Sequence, residues 1–105
     1  MKTGVELIAE ERQRQIDKEG WTAEHDDGHY AFELTRAAAT YLVNTIEKEV
    51  DCGVMGRHVL AAAANALWPW DPNDHKPKRT LKNLIRAGAL IAAEIDRIQR
   101  EKGQQ

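Results

Sequence analysis

Hydrophobic positions recur every three or four residues along most of the chain, which is the spacing of amphipathic α-helices. A narrow apolar stripe through Val5, Ile8 and Ile16 predicts a first, heavily charged helix over residues 3–18, which Gly20 ends. Val, Ile and aromatic residues do not form the alternating runs that β-strands show. The pattern therefore indicates an all-α protein.

Three further helices are predicted. The second begins at Thr22 or Asp26 and ends near Glu49, with a stripe made of Ala31, Leu34, Ala38, Leu42 and Thr45. After the glycine-containing "DCGVMG", the third, "RHVLAAAANALW", is short and almost wholly apolar, so we expect it in the interior. Three prolines interrupt residues 69–77. The last helix ends by Gly103 and has the longest stripe, made of Leu81, Leu84, Ile85, Gly88, Ile91, Ala92, Ile95 and Ile98.

These elements predict one domain over residues 1–105, a compact four-helix bundle with three longer helices and one short buried helix. Alanine and glycine on the second, third and fourth helices allow close backbone approach. Three long amphipathic helices in so short a chain also leave one apolar stripe uncovered. We therefore expect a homo-oligomer, either a dimer or a tetramer.

Composition narrows the class of protein. The 105 residues are 42% hydrophobic and 30% charged, with a formal net charge of -2, so no uniform basic field favours nucleic acid as a partner. A single cysteine, Cys52, cannot form an intramolecular disulfide. The sequence has no signal-peptide pattern and no long apolar run. We expect a soluble, cytoplasmic protein that does not enter membranes.

The stretch "HDDGHYAFEL" concentrates candidate metal ligands. On a continuous helix, Asp26, His29 and Glu33 would share one face, with Asp27 beside them. Clustered carboxylates of this kind can hold Mg²⁺ or Mn²⁺. The alternative is that Asp26 and Asp27 cap the helix and favour its dipole.

The first helix has further acids. Glu10 and Glu11 alternate with Arg12 and Arg14, and Glu11 adjoins the apolar stripe. Such a run is typical of a solvated helix face with ion pairs between successive turns. Glu11 is the best candidate for a different role because it lies nearest the core.

The segment "WPWDPNDHKPKRT" brings aromatic rings and cations together. Trp68 and Trp70 flank a proline, and Lys76 and Lys78 follow within a few residues. The rings could stack on a base while the cations meet phosphates. Alternatively, the tryptophans cap the open end of the bundle and the basic run is solvated.

The succession "ERQRQ", "EGWT", "EHDD", "WPW" and "AGALI" resembles small helical proteins of bacteriophages and prophages that are grouped with the MazG-like nucleoside triphosphate pyrophosphohydrolases. In that family, Glu-Glu-x-x-Glu and Glu-x-x-Asp motifs hold Mg²⁺ against a triphosphate. Here Glu10 and Glu11 match the first motif, Arg14 stands where its third acid should be, and no well-placed Glu-x-x-Asp follows.

The resemblance implies metal-dependent hydrolysis of a (deoxy)nucleoside triphosphate between its α and β phosphates, in the cytoplasm of an infected or lysogenic bacterium. The metal ligands would be Glu10, Glu11, Asp26, Asp27 and Glu33. A carboxylate, Glu11 or Glu33, or else His29 would take the proton. The phosphates and base would be bound by Arg12, Arg14, Trp70, Lys76 and Lys78. Because the metal motif is incomplete, the alternative is a non-catalytic phage module that sequesters a nucleotide or docks on a host protein.

Overall fold

The computed structural model describes residues 1–27 and 32–103, apart from the side chains of His25, Asp26 and Lys102. Within these residues every regular element is a helix, which confirms the all-α prediction. The elements are α1 (Gly4–Glu19), α2 (Ala23–Asp27), α3 (Glu33–Glu49), α4 (Gly53–Leu67), a short 3₁₀ helix (Pro72–Asp74) and α5 (Thr80–Gly103). Four of them have 15 residues or more, so the four-helix bundle is confirmed as well.

The first helix has the ends that its sequence predicts. Thr3 and Glu6 form a capping box, in which each side chain accepts a hydrogen bond from the other's backbone N–H. At the other end, Gly20 has a φ of 71°, a left-handed conformation that a residue with a Cβ rarely adopts.

The predicted continuous helix from Thr22 or Asp26 to Glu49 is wrong. Helix α2 ends at Asp27, and α3 begins only after Phe32, whose φ of 55° is incompatible with a right-handed helix. The predicted alignment of Asp26, His29 and Glu33 on one helix face required a continuous helix, which the structure does not have.

Phe32, at the N-cap of α3, supplies no side-chain cap. A carboxylate from α5 caps the start of the helix instead. Glu94 Oε1 accepts hydrogen bonds from the backbone N (3.1 Å) and Oγ1 (2.8 Å) of Thr35, and Glu94 Oε2 accepts one from Arg97 Nε at 2.6 Å. Burial would raise the pKa of Glu94, but these hydrogen bonds from Arg97 and Thr35 outweigh burial and lower it. The ionised carboxylate thus fixes the start of α3 against α5.

The core lies between α3 and α5, where small side chains let the helices approach closely. Its buried members are Leu34, Ala37, Ala38, Tyr41, Ala87, Leu90 and Ala93, with Trp21, Trp68 and Trp70 packed against them. Helix α1 packs on α5 at Gly88, where an added Cβ would lie 2.5 Å from Ile8 Cδ1. Only glycine fits this contact unless Ile8 moves.

The position of α4 differs from the one that its composition predicts. Of its residues only Ala64 is buried, whereas Met55 and Val59 are exposed. Among the described helices, α4 packs extensively on α3 alone, so the opposite side of this apolar helix is uncovered. No helix in the described part of the chain is both long and apolar enough to span a bilayer.

Candidate functional site

Three tryptophans and a tyrosine form an aromatic cluster beside the core. The ring centroids of Trp68 and Trp70 lie 5.3 Å apart at 89°, those of Trp21 and Trp70 lie 5.6 Å apart, and Tyr41 meets Trp68 edge-on at 5.8 Å. Such tilted and edge-to-face contacts are favourable for aromatic pairs. The cluster joins the loop after α1, the loop after α4 and helix α3 in one surface.

Polar contacts fix the orientation of these rings. Trp68 Nε1 donates a hydrogen bond to the carbonyl oxygen of Asp71 at 2.9 Å, and Trp70 Nε1 donates one to Glu33 Oε2 at 2.9 Å. Arg12 Nη1 donates to the carbonyl oxygen of Trp21 at 3.1 Å. The indole N–H groups of Trp68 and Trp70 are therefore used within the protein, and only the rings of these residues are left to contact a ligand.

This cluster forms one wall of a cleft of about 480 Å³, the aromatic cleft. Its lining residues are Glu19, Trp21, Tyr41, Trp68, Trp70, Asp74, Lys76, Lys78 and Arg86. Arg86 lies with its guanidinium 5.8 Å from the centroid of the Tyr41 ring, and its Nη1 donates to the Tyr41 hydroxyl at 3.3 Å. Aromatic rings, three cations and the two carboxylates of Glu19 and Asp74 therefore line the same space.

His75 packs against two rings of the aromatic cluster, those of Trp68 and Tyr41. Its ring lies 4.8 Å from that of Trp68 and 5.9 Å from that of Tyr41, and its Nε2 lies 2.6 Å from Asn44 Nδ2. An amide nitrogen can only donate, so Nε2 is an acceptor and carries no proton. Burial lowers the pKa of His75 below its ordinary value, partly opposed by the charge of Glu47. A neutral imidazole packs on the rings.

A second, basic cleft of about 590 Å³ adjoins the first between α1 and α5. It is lined by Leu7, Glu10, Glu11, Arg14, Lys78, Lys82, Ile85 and Arg86. Lys78 and Arg86 belong to both clefts. The two spaces therefore meet at this pair of cations.

Glu11 is the carboxylate that the basic cleft holds most firmly. Arg14 donates to both of its oxygens, at 2.7 and 2.8 Å, and Gln15 Nε2 donates at 3.2 Å. Burial would raise the pKa of Glu11, but the hydrogen bond and charge of Arg14, with the charge of Arg86, lower it. Glu11 is thus an ionised partner of Arg14 and a poor proton acceptor.

The predicted metal ligands are distributed over separate contacts. Glu10 pairs with Lys2, Asp27 pairs with Arg100 at 2.7 Å, and Glu33 accepts from Trp70. In the described part of the chain, no three His, Cys, Asp or Glu side chains come together as a metal site would require. The four of these ligands whose side chains are described, Glu10, Glu11, Asp27 and Glu33, therefore do not form one metal site. His29 and the side chain of Asp26 lie outside the described residues.

Unlike the predicted metal ligands, most of the residues predicted to bind the nucleotide line the two clefts. Trp70, Lys76 and Lys78 line the aromatic cleft, and Arg14 lines the basic cleft. Arg12 is the exception, since its contact with the Trp21 carbonyl serves the loop after α1.

Three residues of the clefts, Tyr41, Lys82 and Arg86, are not indicated by the sequence pattern. Tyr41 is part of the apolar stripe of α3, and its hydroxyl gives no periodic signal. Lys82 and Arg86 stand four residues apart on α5, which puts both on one helix face and could have indicated a basic patch. No protein family, curated protein or solved structure matches this chain.

Proposed function

We propose that the aromatic cleft and the basic cleft together bind one nucleotide. The base would stack on the tryptophan wall, and the phosphates would lie on Lys78, Arg86 and the other cations of the basic cleft. The observation that carries this proposal is that Lys78 and Arg86 line both clefts, so a single ligand can reach the rings and the cations at once.

The chemistry of the two clefts supports this ligand class. Small-molecule sites combine apolar and aromatic side chains with a few convergent polar groups, and the aromatic cleft sets four aromatic rings beside charged side chains. Aromatic faces stack on any base, and a stacked base contributes about 1–3 kcal/mol to binding. Guanidinium and ammonium groups bind phosphate oxygens through charge-assisted hydrogen bonds. A ligand with a planar ring system and several negative charges satisfies both clefts.

Binding without turnover is the function that this geometry supports best. Three of the acids predicted to act in catalysis or metal binding already have partners, since Glu11 contacts Arg14, Asp27 contacts Arg100 and Glu33 accepts from Trp70. In this proposal the protein is a module that sequesters its nucleotide. An origin in a phage or prophage rests on the sequence resemblance alone.

Metal-dependent pyrophosphohydrolysis is the second candidate, and one observation favours it. Glu10 and Glu11 line the basic cleft together with the cations assigned to the phosphates. Mg²⁺ in nucleotide sites is commonly held by one or two carboxylates plus the phosphates themselves. Release of pyrophosphate that requires Mg²⁺ and is lost in Glu11→Gln would establish the hydrolase over the binding module.

Isothermal titration calorimetry tests the proposal with three ligands, namely a nucleoside triphosphate, the corresponding nucleoside and inorganic triphosphate. We expect the intact nucleotide to bind more tightly than either of its halves. Lys78→Gln should weaken binding of the nucleotide, whereas Lys48→Gln, a matched change at an exposed lysine of α3 outside both clefts, should not. Equal and weak heats for all three ligands would contradict the proposal.

A further inference from the structure

Helix α4 has an uncovered apolar side, which we call the α4 face. Its members Met55, Val59, Ala62 and Ala66 are spaced by four, three and four residues, so they form one stripe along the helix. All four are exposed, Met55 by 77% and Val59 by 63% of the full side-chain value. The stripe contains no charged residue, and the exposed polar residues His58 and Asn65 lie along its edge.

Helix α3 extends this apolar surface. Leu42, Ile46 and Val50 follow one another at four-residue intervals, and each is more than a third exposed. Leu42 and Ile46 continue, at four-residue intervals, the row of Leu34 and Ala38 that is buried in the core, and Val50 is the residue that ends α3. Helix α4 packs on α3, so these exposed apolar residues belong to neighbouring helices.

The accessible surface of the chain is larger than a folded monomer of its size usually exposes. The chain exposes 6958 Å², whereas an 11.9 kDa monomer is expected to expose about 5,900 Å². The difference, about 1,000 Å², is comparable to the roughly 800 Å² that each partner contributes to a stable interface of standard size.

We infer that the α4 face is a two-fold interface with a second copy of this chain. In a two-fold interface each patch meets itself, so an uncharged patch avoids the like-charge contacts that a charged patch would create. Ala62 and Ala66 allow the paired helices to approach closely. None of the four residues of the α4 face lines either cleft.

Sedimentation equilibrium over a wide range of protein concentration tests the inference. We expect the full chain to reach twice its 11.9 kDa mass. Met55→Lys and Val59→Lys, made separately, should each raise the dimer dissociation constant roughly a hundredfold, because two ammonium groups would be buried opposite each other. Lysine favours helix at least as well as the residues it replaces, and both positions are exposed, so the monomer should keep its circular dichroism spectrum.

The matched control is Val5→Lys, an equally exposed aliphatic residue on α1 away from the α4 face. It should leave the mass of the dimer unchanged. A wild-type chain that stays at 11.9 kDa, or an oligomer that neither α4 variant weakens, would overturn the inference. Nucleotide affinity, measured on the same variants, should not change, so the dimer and the proposed function can fail independently.

Discussion

The aromatic cleft and the α4 face both expose apolar side chains, but they differ in the charged and polar groups that lie beside those side chains. The aromatic cleft combines three tryptophans with Lys76, Lys78 and Arg86, and its rings are held by hydrogen bonds. The α4 face consists of aliphatic side chains and alanines without an interspersed charge. Both regions bring apolar groups to the surface, yet only the first adds polar groups that can orient a small charged ligand.

The comparison teaches that exposed apolar area alone does not specify a function. Convergent cations beside rigid rings select a ligand by charge and shape. An uncharged helix side favours a partner with an apolar surface that packs closely against it, and a second copy of the same surface can provide this. Changes in one region should therefore leave the property of the other unchanged.

The largest effect on nucleotide affinity is expected from replacing Arg86, the arginine that lines both clefts. Arg86→Gln should lower nucleotide affinity by about a hundredfold, since hydrogen bonds to charged groups contribute about 1.5–3 kcal/mol each. Calorimetry measures the change. The matched variant Arg57→Gln, at an exposed arginine of α4, should retain wild-type affinity. Equal losses of nucleotide affinity in both variants would contradict the assignment of nucleotide binding to the clefts and not to α4.

Replacing the central ring should have a smaller and more selective effect. Trp70→Leu should weaken nucleotide binding about tenfold through lost stacking, and leave the affinity for inorganic triphosphate unchanged. Trp70→Phe keeps a ring but cannot donate to Glu33, so it should retain most of the affinity. Competition binding with both ligands distinguishes the outcomes, and a parallel loss for both ligands would contradict stacking.

The smallest effect should come from pH. Burial lowers the pKa of His75 from its ordinary 6.5, so the unfolded chain takes up a proton more readily than the folded one. Its contribution to stability is full above about pH 6.5 and is lost progressively as pH falls through the lowered folded value. Urea unfolding at several pH values should show a shallower pH dependence for His75→Gln than for the wild type. An identical pH dependence would show that His75 is not responsible.

Periodicity in the sequence predicted most helices because each apolar stripe is a local pattern. It did not predict the break before α3, because the start of this helix is capped by Glu94, which lies 59 residues away in sequence from Thr35, the residue that it caps. It also could not tell a buried apolar helix from an uncovered one, which is why α4 was expected inside.

The candidate site was predictable to the extent that it depends on local sequence. The loop "WPWDPNDHKPK" already contains the two tryptophans and two lysines that line the aromatic cleft. Tyr41 and Arg86 enter only when α3 packs against α5, and no local pattern encodes that contact. The acids whose side chains the structure describes do not come together either, because their expected alignment required a helix that continues past Asp27.

The most direct measurement of the central claim uses the tryptophans themselves. All three in the sequence line the aromatic cleft, so their fluorescence reports on that space alone. Titration with a non-hydrolysable nucleoside triphosphate should quench the emission saturably, and inorganic triphosphate should reverse the quenching by competing for Lys78 and Arg86. Emission that stays constant across purine and pyrimidine triphosphates would contradict nucleotide binding in the cleft.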